Sequence, residues 1–548
     1  MRFWFLRLIK LKDAVRIICD MLSNNSLFPG EKAMGMKPVF KVVAFLLLII
    51  ITIVIGFSLL SRVTENGIGL TPDSVVYISA AKSLLEGQGL FVGGEPMTHF
   101  PPVYSLLIAF SGLFTDNLVS STRILHTFLY CANAILFGFC IFISTRRNFL
   151  AMVAGILLFF TLPAVLKVHA DAVSESPFIF FSLLTFLLLY RYFFTDRKIY
   201  LLFSALGMGL AIATRYVGIA LLPPLVVGIF LFNKSSVKTK SLTSLWSVAV
   251  AIVPITAWVI RNLILTSSAV NRTITFHPID IKRIKSMIDT LHNFIFPTLE
   301  NRWFNAIELV LVTMVFLYLA IVVIRKRSEY SIDDNQGWFF ASMGSAFFVS
   351  FILVLIFSIS FIDVSTSMNE RILLPAFLPL LISAFALVDL FAQLTKSRLV
   401  IPIFLVCMVF ITRMNIPETI QTAKRMQNNG MGFNAVRWNE SPTISEIKKL
   451  TSETKIYSNG FDAINIKTGR ESFSFPRKFN PVSTLVNKDY AVEMDAMCRE
   501  VNNGTALIIY LDEVDWREYL PDEAEVIQAC APALIMDTSD GAIYGISK

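Results

Sequence analysis

The stretch Leu70–Phe110, LTPDSVVYISAAKSLLEGQGLFVGGEPMTHFPPVYSLLIAF, decides how the chain is read, because it follows a long apolar run and carries an acid where a helix begins. Thr71 suits a helix cap, Pro72 suits the first helical position, and Asp73 then falls in the first turn. The positive end of the helix dipole and its free amides favour the charged carboxylate, which suits Asp73 to accept a proton. Asp73, Tyr77, Ala80, Ala81 and Leu84 recur at three- and four-residue spacing, so the carboxylate and the tyrosine share one face of a short helix. Gly87 and Gly89 end that helix. After Gly93-Gly94, the run His99-Phe100-Pro101-Pro102-Val103-Tyr104 reverses the chain into a second short apolar segment. Taken alone, Asp73 also fits a plain surface cap.

Around this stretch the composition is that of a membrane protein. Of 548 residues, 55% are hydrophobic, 48 are Phe and only 16% are charged. The net charge of +8 is carried mainly in short loops between apolar runs, which argues for orientation in a membrane rather than for nucleic acid. Six cysteines lie scattered with no C-x-x-C spacing, and Cys131, Cys140 and Cys407 sit in apolar runs as small hydrophobes. Residues 1–38 are basic and partly apolar, with Phe3, Trp4, Phe5 and Leu6 beside Arg2, Arg7 and Lys10; they read as a cytoplasmic amphipathic helix, or as a region preceding a start at Met34 or Met36.

The spans follow from the apolar runs: Val39–Leu60, Thr122–Ile143, Phe149–Leu166, Ser176–Phe194, Tyr200–Ala213, Val217–Phe232, Leu242–Leu265, Asn305–Ile324, Trp338–Phe361, Ile372–Leu394 and Leu399–Ile411. The expectation is an α-helical polytopic membrane protein of about 11 spans, with Pro102–Phe114 lying in the outer interface. Residues 39–413 form the membrane domain, and its external loop, 61–121, carries the chemistry. An inside amino terminus puts Arg146-Arg147, Lys234 to Lys240 and Arg325 to Arg327 on one face. From residue 414 the chain holds 14 Lys+Arg against 19 Asp+Glu and no further apolar run, so 414–548 is expected to be an external soluble α/β domain. Its pattern gives helices at Thr443–Leu450 and Val486–Val501, and extended segments at Lys455–Ser458, Ala506–Leu511, Ala533–Asp537 and Ala542–Ile546. Cys498 and Cys530 both fall there, where an oxidising exterior permits a disulfide.

A second candidate site is the turn Lys167-Val-His169-Ala-Asp171-Ala-Val-Ser174-Glu175-Ser-Pro177, with Glu175 at the amino end of a span on the same membrane face as Asp73. An ordinary Ser/Glu cap fits it too. Tyr200–Ala213 is too short to cross about 30 Å of hydrocarbon, so Arg215 lies within the membrane's depth and needs a carboxylate or a phosphate as partner. Arg261, Arg272 and Arg371 are expected near the outer face with exposed, snorkelling side chains. His99 with His277 or His169 could ligate a metal, although five scattered histidines carry little signal.

Asp-Ser-x-x-Tyr-x-x-x-Ala-x-x-Leu, then Gly-x-Gly and Pro-Pro-x-Tyr, resembles the first external loop of polytopic glycosyltransferases of the C superfamily, above all the protein O-mannosyltransferases and the aminoarabinose transferases that modify lipid A. The resemblance extends more thinly over residues 40 to 415. It implies that Asp73 lies next to the acceptor as catalytic base, that Glu175 or Asp171, Glu175 preferred, faces it as a second acid, and that the sugar arrives on a polyprenyl phosphate. Arg371-Ile-Leu-Leu-Pro375 is similar to an Arg-x-x-Leu-Pro pattern opening a late span of the family. Where the aminoarabinose transferases have Glu-Lys before Pro-Pro, this chain has His99-Phe100, which moves phosphate binding onto arginines or Lys167.

The expected reaction is transfer of a sugar to an acceptor hydroxyl on a lipid, glycan or protein at the outer face of the cell membrane. Asp73 and Glu175 are its catalytic acids, and Tyr77, His99, Tyr104, Lys167, Asp171, Arg215, Arg261 and Arg371 line the substrate sites. A phosphate leaving group is already a weak base, so no general acid is needed and no cofactor is required, a divalent metal being optional. Direct displacement inverts the anomeric carbon. The competing readings are a lipid or sugar transporter without transfer chemistry, and a non-catalytic scaffold.

Overall fold

The computed structural model describes residues 38–115, 117–297, 302–325, 336–451 and 454–546. The amino-terminal basic segment and the basic cluster beyond Arg325 lie outside the described residues. Long apolar helices dominate the first three quarters of the chain: α1 (Pro38–Val63), α4 (Leu118–Ser144), α7 (Glu175–Thr195), α10 (Val237–Thr266), α13 (Gln336–Phe361), α14 (Glu370–Thr395) and α15 (Val400–Asn429). Among the described residues these seven are long and apolar enough to cross a membrane. α5 (Phe149–Thr161) and α6 (Pro163–Ala170) make an eighth if taken together, although they bend by 63°. The run expected as one straight span breaks because Pro163 opens a new helix with no amide to bond back. Lys198–Thr214, Tyr216–Phe232 and Val312–Arg325 are shorter apolar helices, so the observed count differs from the expected eleven through helices that stop short of a full crossing.

The elements between the spans position the site. α2 (Pro72–Leu85) starts as its sequence dictates: Thr71 and Ser74 cap each other's backbone amides, Pro72 occupies the first turn, and Asp73 is the acid beside it. A two-strand ribbon, β1 (Phe91–Val92) with β2 (Glu95–Pro96), leads into α3 (Val103–Gly112). α3 buries Tyr104 and Ile108 while Phe110, Leu113 and Phe114 at its end stay exposed, as in a helix lying at an interface. α8 (Lys198–Thr214) ends at Arg215, after which a 3₁₀ turn (Tyr216–Leu221) runs into α9 (Leu222–Phe232). α11 (Ile281–Asn293), absent from the sequence reading, is an amphipathic helix before α12 (Arg302–Arg325).

α15 runs on for 30 residues through Pro417, well past the expected end at Ile411, and leads into a five-stranded mixed sheet of order β4-β3-β5-β7-β6. The strands are β3 (Lys455–Ser458), β4 (Phe473–Ser474), β5 (Ala506–Leu511), β6 (Ala533–Thr538) and β7 (Gly541–Gly545). β3 pairs parallel with β4 and β5, while β7 pairs antiparallel with β5 and β6. Five further helices accompany it: α16 (Val436–Asn439), α17 (Pro442–Lys449), α18 (Phe461–Thr468), α19 (Tyr490–Asn502) and α20 (Glu523–Cys530). A disulfide joins Cys498 of α19 to Cys530 of α20. Replacing both cysteines with Ser is expected to cost this module about 2–4 kcal/mol, read as an earlier unfolding step in calorimetry.

This module is fused to the site loop. One apolar cluster includes Ile68, Leu70, Val75 and Tyr77 from the loop together with Trp438, Ile444, Ile464 and Ile509 from the carboxyl-terminal module. Phe433 N–H donates to the Leu70 carbonyl at 2.8 Å, and Asn434 Nδ2 to the Ile68 carbonyl at 2.8 Å. Gly432 permits the approach: its φ is +53°, and a Cβ there would lie 2.1 Å from the Leu70 oxygen.

Candidate active site

Arg371, in the first turn of α14, is the hub. Its Nη2 donates to Asp73 Oδ2 at 2.7 Å and its Nε to Glu175 Oε1 at 2.6 Å. Arg215 Nη1 meets the same Glu175 oxygen at 2.6 Å and also donates to Ser174 Oγ at 3.0 Å. Three helix starts and one helix end thus converge: α2 brings Asp73, α7 brings Glu175, α14 brings Arg371, and the end of α8 brings Arg215. The two acids from separate turns lie one arginine apart.

Their environments differ. The Asp73 side chain is 35% exposed and lines a cavity of about 870 Å³, whereas Glu175 is fully buried and off its wall. Glu175 therefore does not face Asp73 across open space; it fixes Arg371 and Arg215 from behind, and its Oε2 is buried without a hydrogen-bond partner. The cavity wall has a polar end that includes Asp73, Tyr77, His99, Arg215, Arg272, Asp363 and Arg371. Its apolar side comes from spans and from the 3₁₀ turn, with Ile219, Ile255, Phe351, Val354 and Phe357.

Arg272 and Arg371 are not the exposed snorkelling groups expected, because carboxylates at hand hold them inside. Arg272 Nη1 pairs with Asp363 Oδ2 at 2.9 Å, and its Nη2 donates to His99 Nε2 at 3.1 Å. Burial, with the Arg272 cation beside it, pushes the His99 imidazole down to about 4, so His99 is neutral and its Nε2 is an acceptor. Among the described residues, Arg272 Nε is buried with no hydrogen-bond partner. Sequence reasoning passed over this pair; the signal it had was an arginine between two spans with Asp363 at the end of another.

Other expected site residues lie elsewhere. Tyr77 donates to Ser174 Oγ at 3.3 Å, and burial, then the nearby Asp73 charge, raises its phenol well above the ordinary range, so it stays protonated. Tyr104 is off the wall of this cavity: it is fully buried and donates to His126 Nε2 at 2.7 Å. His126 Nδ1 in turn donates to the His169 carbonyl at 3.1 Å, and Asn133 Nδ2 donates to His169 Nε2 at 3.0 Å. His169 therefore packs as a satisfied core group, His277 bonds Thr275 Oγ1 at 3.0 Å, and each histidine of the metal idea has its own partner. Tyr104→Phe is expected to cost about 1–3 kcal/mol by leaving a buried imidazole nitrogen without a donor, read as a lower melting temperature.

Arg261 is also off the cavity wall. Its guanidinium donates to the Met97 carbonyl at 2.7 Å and the Leu90 carbonyl at 2.9 Å and stacks 4.7 Å over Trp258, which braces the β1–β2 ribbon. Lys167 pairs with Glu370 at 3.0 Å beside a second cavity of about 370 Å³. Asp171 lines that smaller cavity too, and burial pushes its carboxyl up to about 6 against the pull of Arg371 and Lys167. Arg371 is common to both cavities.

Residues 99–260 match the family model described as dolichyl-phosphate-mannose-protein mannosyltransferase. The structure is similar to that of ArnT from Cupriavidus metallidurans in the apo state, with a TM-score of 0.57 and 14% identity over 92% of this chain and 98% of that one. It is likewise similar to ArnT from the same organism bound to undecaprenyl phosphate, with a TM-score of 0.54 and 11% identity over 91% of this chain and 97% of that one. No curated protein matches the sequence. In whole-chain fold, and in sequence over residues 99–260, the chain is similar to the polytopic membrane glycosyltransferases of the C superfamily.

Proposed function

We propose that the protein transfers one sugar from a polyprenyl-phosphate donor to an acceptor hydroxyl at the outer membrane face. The observation that carries this reading is the cavity itself, which joins two carboxylates, Asp73 and Asp363, and three arginines to an apolar wall built from spans. An isoprenoid tail fits that wall, and its phosphate fits the arginine end. Arg272 lines that end, and the guanidinium fork suits phosphate oxygens. The undecaprenyl phosphate held by the ArnT of similar fold supports a donor of this class.

In this reading Asp73 takes the proton from the acceptor hydroxyl as its oxygen attacks the anomeric carbon. The carbon–oxygen bond to the phosphate breaks, and its electron pair leaves on the phosphate, whose growing charge Arg272, Arg215 and Arg371 stabilise. Direct displacement inverts the anomeric centre. Glu175 touches no substrate and serves as a positioning residue for two of the arginines. His99 stays neutral and holds Arg272 in place. A monophosphate donor makes a metal optional in this route.

The proposed topology has about 11 spans, counting the shorter apolar helices, with a cytoplasmic amino terminus and residues 414–548 as an external α/β domain. It is supported by Arg146 Nε pairing with Asp389 Oδ2 at 2.9 Å, since Asp389 lies about 27 Å along α14 from Arg371. The basic pair therefore sits at the end of the bundle opposite the site. The first test of function is binding of undecaprenyl phosphate to the purified full chain, followed by transfer from a panel of radiolabelled polyprenyl-phosphate sugars to acceptors in native membranes. Saturable binding and label moving out of the lipid pool are expected; no binding and no transfer with any donor would leave the scaffold reading.

A further inference from the structure

The loop Ile362–Ser367, between α13 and α14, forms part of the cavity wall through Ile362, Asp363, Ser365, Thr366 and Ser367. Within it Asp363 Oδ1 accepts from Ser365 N–H at 3.1 Å and from Ser365 Oγ at 2.6 Å, while the Val364 backbone and the Thr366 carbonyl are held from outside the loop on two sides. On one side, Arg283 of α11 donates to the Thr366 carbonyl at 2.7 Å and to the Val364 carbonyl. From the carboxyl-terminal module, the Val482 carbonyl accepts from Val364 N–H at 3.1 Å, and Val482 also lines the cavity.

Val482 is presented by a tight turn. Asn480 Oδ1 accepts from Val482 N–H at 2.9 Å and from Ser483 N–H at 3.4 Å, while the Asn480 carbonyl accepts from Thr484 N–H at 2.7 Å and its own N–H donates to the Leu485 carbonyl at 2.9 Å. Asn480 is exposed and touches neither cavity. The loop that this turn holds carries Asp363, the carboxylate that pairs with Arg272. An unbroken chain of contacts thus runs from Asn480 through Val482, Val364 and Asp363 to Arg272, a residue of the cavity wall.

We propose that the Asn480–Leu485 turn of the carboxyl-terminal module is a positioning element for the lipid-phosphate site, setting Arg272 through the Ile362–Ser367 loop. The module then does more than brace the bundle: it completes the cavity and tunes its affinity for an anionic headgroup. This rests on the reading of the larger cavity as the polyprenyl-phosphate site.

The test is equilibrium binding of undecaprenyl phosphate to the purified full chain, followed by intrinsic tryptophan fluorescence, with melting temperature recorded for every variant. Asn480→Ala is expected to raise Kd about fivefold with little change in melting temperature, and Asn480→Asp, which keeps the accepting oxygen, to stay within about twofold of the parent. Arg272→Ala is expected to raise Kd further, and Asn480→Ala added to it to change nothing more, because both act on one contact. Hydrogen exchange at the Val364 amide is expected to speed up in Asn480→Ala and not in Asn480→Asp. Unchanged Kd in Asn480→Ala, or effects that simply add to those of Arg272→Ala, would overturn the proposal. Failure of the parent protein to bind would instead overturn the donor reading beneath it.

Discussion

Asp73→Asn is expected to lower the proposed sugar transfer by about 10²–10⁴-fold, the range for losing a general base, and to leave binding of undecaprenyl phosphate intact. The amide keeps the shape of the side chain and can still accept from Arg371 Nη2, so the contact now 2.7 Å long survives in a neutral form. What is lost is the capacity to take a proton. The ion pair itself contributes little to folding, because Asp73 is 35% and Arg371 29% exposed, where such pairs are worth about 0–1 kcal/mol. A melting temperature within a degree or two of the parent, together with transfer lost at every donor concentration, separates a chemical defect from a folding one. Transfer at the parental rate would remove Asp73 from the chemistry.

Arg371→Ala is expected to damage both stability and rate. It takes from the buried Glu175 one of the two cations that share its Oε1. With Arg215 still in place the cost is about 3 kcal/mol, the low end for removing one partner of a buried pair. It also frees Asp73 from its only described ion pair and removes charge stabilisation of the departing phosphate, for about 10²–10³-fold in rate. Arg371→Lys restores the charge but not the fork, and one ammonium does not reproduce the Nε and Nη2 contacts that Arg371 makes at 2.6 and 2.7 Å. An intermediate rate with a largely recovered melting temperature is therefore expected, measured by transfer assay and differential scanning fluorimetry on the same preparations.

What the sequence showed of this site followed from local rules. Thr71, Pro72 and Asp73 announce a helix start by capping chemistry alone, and the structure caps that helix as those residues require. Apolar run length located the long spans in the same way. The strands Lys455–Ser458 and Ala506–Leu511 fell where β-rich residues lie between turns. Local rules do not report which distant groups meet. Arg272 and Asp363 are 91 positions apart, and their places at the ends of spans do not say that these two pair. Tyr104 was expected at the site as part of Pro-Pro-x-Tyr and Arg261 as a basic residue at the outer end of a span; the fold points one at His126 and the other at backbone carbonyls.

Helix ends were misjudged for a related reason. α15 continues past the apolar stretch because neither Pro417 nor the following polar residues stop a helix that has somewhere to pack. Its continuation carries the chain up to Gly432, against the site loop. The role of Glu175 also changed with depth. A sequence places it at a helix start, but only the structure shows it buried and paired with Arg371 and Arg215.

The most direct measurement is a cryo-electron microscopy map of the full chain with undecaprenyl phosphate bound. Density for the phosphate at the polar end of the large cavity, within hydrogen-bond reach of Arg272 and beside Asp73, with the tail running along Phe351, Val354 and Phe357, is the predicted result. A headgroup bound away from Arg272 and Asp73, with that cavity left empty, would contradict it.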